Sequence, residues 1–99
     1  MTPFTEEVIR IIKHIPRGKV MTYGQIAGQA GSPRGARQVV RILHSMSEKY
    51  DLPWHRVMNA KGELPNIGGM KPFRQKNLLE AEGVEVSEDF KIDLSKYRY

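Results

Sequence analysis

The stretch Pro53-Trp54-His55-Arg56-Val57 sets an indole, an imidazole and a guanidinium side by side. Which atom of such a set would react is the first question. Indole carbon and nitrogen are poor nucleophiles near neutral pH. The chain contains no cysteine, which excludes thiol catalysis, a thiolate zinc site and a disulfide framework within it. His55 has the type of a general acid and base. However, no paired carboxylates and no metal-ligand spacing accompany it. The residues therefore suit binding better than bond-making, and neither a cofactor nor a metal is expected.

Charge points the same way. The formal net charge is +5 and the pI about 9.7. Residues 1–76 hold 13 Lys/Arg against 5 Asp/Glu, whereas residues 77–99 hold 3 against 6. A basic body with an acidic end favours a polyanion such as nucleic acid as partner. No apolar run approaches the roughly 20 residues that span a bilayer, so no membrane partner is expected. The first residues, Met1-Thr2-Pro3-Phe4-Thr5-Glu6-Glu7, place acids where a secretory signal would be basic. The reading is a cytoplasmic protein, nucleoid-associated when DNA-bound, or nuclear if the cell is eukaryotic.

The elements that must position these residues follow from spacing. Phe4, Val8, Ile11, Ile12 and Ile15 predict a first helix, capped by Thr2 or Thr5 and stopped at Pro16-Arg17-Gly18. Thr22 can cap a short second helix over Tyr23–Ala30, ended by Gly31. Ser32-Pro33 reads as cap and first residue of a third helix, from Arg34 to about Met46. Val39, Ile42, Leu43 and Met46 form its buried stripe, with Arg34, Arg37, Arg41 and His44 nearly opposite. Two helices about a short turn, the second with a basic outer face, make a helix-turn-helix. Arg56-Val57-Met58 and Glu63-Leu64 flank the turn Asn59–Gly62 and predict a β-hairpin wing. A last helix is expected over Pro72–Glu82, with Phe73, Leu78 and Leu79 inward and Gly83 as its stop. Residues Val84–Tyr99 are expected to be extended. The fold class is mainly α with a small β-hairpin wing, a winged helix-turn-helix, in one domain over residues 1–99.

Four blocks in order carry a resemblance. Pro53–Val57 resembles the Pro-Cys-His-Arg-Val active-site motif of the O6-alkylguanine-DNA alkyltransferases at four of five positions. Lys19–Ala27 resembles the segment opening that family's helix-turn-helix. Ala36-Arg37-Gln38-Val39 resembles the start of its recognition helix, and Leu78–Gly83 its closing helix. Trp54 stands where the cysteine would take the alkyl group, and the family's separate N-terminal domain is not seen. Both departures resemble the non-enzymatic alkyltransferase-like branch.

That resemblance implies roles. Arg37 becomes a finger that fills the base stack when a nucleotide is flipped out. Tyr23 acts on the neighbouring phosphate to turn the nucleotide outward. The implied DNA-binding set is Thr22, Tyr23, Gln25, Arg34, Gly35, Ala36, Arg37 and Arg41, reading the minor groove. The implied lesion pocket comprises Tyr23, Leu43, Pro53, Trp54, His55, Val57, Ile67, Gly68 and Glu82. Without a thiol to activate, His55 and Glu82 are left a structural task as a buried hydrogen-bond pair. The enzymes pin the turn after the recognition helix with an asparagine. Met46 aligns there, so that hinge must be held otherwise.

The expected function is recognition of DNA carrying O6-alkylguanine by base flipping, without alkyl transfer, as a flag for nucleotide excision repair. Its partners would be lesion-bearing duplex DNA and excision-repair damage-recognition proteins, met by a monomer. The competing readings are a winged-helix transcription regulator on undamaged DNA, and a hydrolase or glycosylase using His55 and Glu82.

Overall fold

A computed structural model describes residues 1–64 and 72–99. Helix α1 covers Pro3–Lys13. The Thr2 hydroxyl accepts from the Thr5 amide at 3.2 Å, and Pro3 takes a first-turn position where a missing N–H costs nothing. Strand β1 is Met21–Thr22, and helix α2, Tyr23–Gln29, follows at once. A capping box starts α2. The Thr22 hydroxyl accepts from the Gln25 amide at 3.1 Å, and the Gln25 carboxamide accepts from the Thr22 amide at 3.3 Å.

Helix α3 runs Ala36–Tyr50, starting later and ending later than its sequence signals suggest. Ser32-Pro33 does not begin it. Those residues form a separate turn, closed by the Gly35 amide donating to the Ser32 carbonyl at 2.8 Å. At the far end the helix passes straight through Met46 and stops at Asp51, whose backbone is left-handed at φ 51°. Met46, aligned by the resemblance with the asparagine that pins the enzymes' turn, thus lies within the helix, half-buried and packed on the core. A 3₁₀ turn, Trp54–Arg56, leads into strand β2, Val57–Met58. Helices α4, Pro72–Ala81, and α5, Leu94–Tyr97, complete the described elements.

The expected hairpin wing is corrected. The Asn59–Gly62 turn forms, its Asn59 side chain accepting from the Lys61 and Glu63 amides at 3.0 Å each. Its flanks do not pair with each other. Met21 and Thr22 pair in parallel with Val57 and Met58, while Glu63 bridges Lys91 in antiparallel sense. The cause is burial. Met21 and Val57 face one hydrophobic cluster, whereas Val20 and Met58 face another. Strands wet on neither face are the usual setting of parallel pairing.

The first cluster joins α1, α2 and α3, including Val8, Ile12, Ile26, Val39 and Leu43. The second gathers Leu64, Leu79, Val84, Ile92 and Tyr97 around the end of α4 and the last segment. Two further expectations fail here. Phe73 is 59% exposed and Leu78 36%, so only Leu79 of the three points inward, and Gln75 takes the other buried place on α4. Residues 84–99 are not one extended run. They turn at Phe90, whose φ is 60°, and end in α5.

Candidate nucleic-acid interface

Strand pairing does the assembling. Because Met21 pairs with Val57, the Pro53–Val57 motif lies beside the start of α2. Tyr23, Leu43 and Val57 are buried in the first cluster, and Trp54, half-buried, packs against it. The 3₁₀ turn holds Trp54 through its own amide, which donates to the Leu52 carbonyl at 2.8 Å. Half-buried Pro53 caps that turn, and the Arg56 amide donates back to the Pro53 carbonyl at 3.0 Å. The indole meets the His55 ring edge-on, with centroids 6.1 Å apart.

Tyr23 is the first residue of α2 and is only 8% exposed. Its hydroxyl is buried and has no hydrogen-bond partner among the described residues. Burial pushes the phenol up to about 12, so it stays protonated and able to donate.

Beneath the motif sits a charged network. The His55 Nε2 and the Glu82 carboxylate are 2.6 Å apart. The Arg56 guanidinium donates to the same carboxylate from Nη2 at 2.8 Å and Nε at 3.0 Å, and from Nη1 to the Ile15 carbonyl at 2.9 Å. The Gly18 amide donates to Glu82 at 2.9 Å. Burial alone would raise the Glu82 carboxyl. Arg56, the Gly18 amide and His55 outweigh it and hold the group down to about 2. The implied His55–Glu82 pair is therefore present, within a larger web.

Two members of that web carried no role in the sequence reading. Arg56 stood in plain view inside the motif, and its two-pronged carboxylate grip could have been looked for. Gln75 gave no signal. It is 3% exposed, and its carboxamide donates to the carbonyls of His55 and Val57 at 3.0 Å each, stitching α4 to the 3₁₀ turn. A polar residue in a helix reads as solvent-facing until the neighbouring backbone is known.

The residues implied to touch DNA divide into two groups. Arg37 and Arg41 lie exposed on the outer face of α3, and Arg34 is exposed in the turn before it. Ala36 opens α3 and is half-buried against the first cluster. Gly35 is buried, and a Cβ there would stand 2.9 Å from the Phe4 ring and 3.1 Å from the Ser32 carbonyl. Its smallness lets α1 pack under the turn. Thr22 is 4% exposed and occupied in the cap. Gln25 is occupied twice, in the cap and through Nε2, which donates to the Tyr99 carbonyl at 2.7 Å. Ile67 and Gly68 lie outside the described residues.

A helix pair about a tight turn, with exposed arginines on the second helix, is the architecture of a helix-turn-helix DNA-binding domain. Residues 3–84 match the family model described as the 6-O-methylguanine DNA methyltransferase, DNA binding domain. The chain belongs to this family. It is 46% identical over 99 residues to the DNA base-flipping protein of Vibrio parahaemolyticus, covering 100% of this chain and 98% of that one. It is 37% identical over 104 residues to Alkyltransferase-like protein 1 of Schizosaccharomyces pombe, covering 100% and 96%. Among solved structures, S. pombe Atl1 in complex with damaged DNA containing O6-carboxymethylguanine superposes with a TM-score of 0.90 at 36% identity, over 100% of this chain and 96% of that one. The methylated-DNA–protein-cysteine methyltransferase of Salmonella typhimurium is 40% identical over 83 residues, and the matched part is 47% of that protein.

Proposed function

We propose that this protein recognises O6-alkylguanine in duplex DNA by flipping the base out of the helix, and that it transfers nothing. The observation that carries the reading is Trp54. By the motif resemblance it stands where the enzymes have their reactive cysteine; it lies on a 3₁₀ turn, beside the His55–Glu82–Arg56 network, in a chain without a thiol. The scaffold that would present a nucleophile is kept, while the nucleophile is replaced by a flat apolar surface. Such a surface suits an alkylated purine, by stacking and by contact with the alkyl group.

In this reading α3 enters the minor groove. Arg37 takes the space left by the extruded base, where a planar guanidinium can stack and bond to the orphaned partner. Tyr23 turns outward so that its buried hydroxyl, without a partner among the described residues, meets a phosphate oxygen. Trp54, Leu43 and Val57 back the lesion, and Arg34 and Arg41 hold phosphates. The likeness to a structure with O6-carboxymethylguanine DNA supports this lesion class. A protein that holds a lesion without repairing it needs a successor. Hand-over to nucleotide excision repair by a DNA-bound monomer is the proposed outcome.

The test uses two matched duplexes, one with guanine and one with O6-methylguanine. Tighter binding of the lesion, with the protein mass unchanged afterwards by mass spectrometry, is expected. Equal binding of both, or a mass gain of one methyl group, would sink the reading.

A further inference from the structure

We propose that Arg98 and Tyr99 form a second DNA-contacting element. They would engage the sugar–phosphate backbone beside the start of α2. The proposal rests on the DNA-binding reading above and extends it to a segment past residue 84, where the family match ends.

The starting point is Gln25, which the family resemblance implies for DNA contact. Its carboxamide instead closes the α2 capping box and holds the Tyr99 carbonyl at 2.7 Å. Two backbone bonds complete the strap. The Val20 amide donates to the Tyr97 carbonyl at 3.0 Å, and the Tyr99 amide to the Val20 carbonyl at 2.8 Å. Val20 adjoins Met21-Thr22, so the strap is fastened next to Tyr23.

What the strap holds is unlike ordinary packing. Tyr97 is 8% exposed, sits in the second cluster, and its hydroxyl accepts from the Glu85 amide at 3.1 Å. Two residues on, the backbone of Tyr99 is held by hydrogen bonds while the residue is 58% exposed. Among the described residues, neither the Arg98 guanidinium nor the Tyr99 hydroxyl makes a hydrogen bond or ion pair. Ordering a backbone and leaving an aromatic and an arginine in water gains little within the free protein. It presents them to a partner at small further entropic cost.

Charge selects the partner. Residues 77–97 hold two lysines and six acids, and Arg98 adds a positive charge where the strap returns to the basic body. A guanidinium with a neighbouring phenol suits phosphate and sugar. The S. pombe and V. parahaemolyticus relatives align over 100% of this chain, this segment included.

The test is DNA binding across a salt series, with Arg98→Ala/Tyr99→Ala, Arg98→Gln and Arg98→Lys beside wild type. Loss of a phosphate contact predicts binding weakened about tenfold in the double variant, on lesion and undamaged duplexes alike. The slope of log affinity against log salt should shrink by about 1 in both the double variant and Arg98→Gln. Arg98→Lys should keep the slope, because it keeps the charge. A wild-type slope in Arg98→Gln overturns the proposal, whatever the double variant does. Wild-type protein that binds neither duplex overturns the reading underneath it.

Discussion

Tyr23 combines two properties that usually exclude each other, a buried hydroxyl and no partner for it among the described residues. An unsatisfied buried polar group costs about 1–3 kcal/mol. Tyr23→Phe should therefore raise the stability of the free protein by about 1 kcal/mol in urea unfolding, while weakening binding to lesion DNA. A variant that loses stability would show that the hydroxyl is already satisfied in the free protein. Arg37 differs, being exposed on α3. Arg37→Ala should leave unfolding unchanged and weaken binding to the O6-methylguanine duplex by roughly tenfold or more, since the gap in the stack is then unfilled. At this scale the sequence was most legible. Arginine on an outer helix face follows from spacing alone. The isolation of the Tyr23 hydroxyl does not, because it depends on which side chains the tertiary fold packs around it.

At the scale of elements, local chemistry and long-range pairing compete. Helices α1 and α2 start where their caps say, because a threonine hydroxyl three residues before an amide acts within one turn. Thr22→Ala removes that cap at a buried position and should cost about 1 kcal/mol in thermal unfolding. Helix α3 starts after its proline signal, because residues Ser32–Gly35 close a turn of their own, with the side-chain-free Gly35 against the Phe4 ring. For a related reason the hairpin wing does not form. Gly62 has φ of 74°, as a turn glycine should, but its neighbour is the last segment, and a Cβ would stand 2.4 Å from the Ile92 carbonyl. Gly62→Ala should destabilise by more than the about 1 kcal/mol of a strained turn alone. Loss of merely that amount, or none, would mean that residues 62–64 and 90–92 separate easily.

At the scale of the whole molecule, Glu82 ties distant parts together. It joins the loop after α1, the 3₁₀ turn and the end of α4 through Gly18, His55 and Arg56. Its carboxyl lies at about 2 in the folded protein against 4.5 for the free group. A depressed carboxyl stabilises the fold above the unfolded value and loses that contribution as pH falls through the folded one. Stability should therefore fall by up to about 3 kcal/mol between pH 4.5 and pH 2. Glu82→Gln should flatten that part of the profile, and an unchanged acid limb would assign it to other carboxylates. Glu82→Ala should cost more, roughly 3–5 kcal/mol, because the half-buried Arg56 loses its counter-charge.

By itself the sequence determined that no thiol can react here and that arginines line one helix face. Both are matters of residue type or of spacing within one helix, and neither needs a partner from afar; that Trp54 stands where the resembling motif has its cysteine comes from the resemblance. Only the tertiary structure decided that Val57-Met58 pairs with Met21-Thr22, that Gln75 and Arg56 hold the motif from below, and that Gln25 fastens Tyr99 beside α2. Those contacts join segments 18 to 74 residues apart. A strand buried on two faces takes whichever apolar partner the packed core brings to it, and a buried amide takes whichever carbonyl arrives. Nothing in the local residue pattern encodes that arrival.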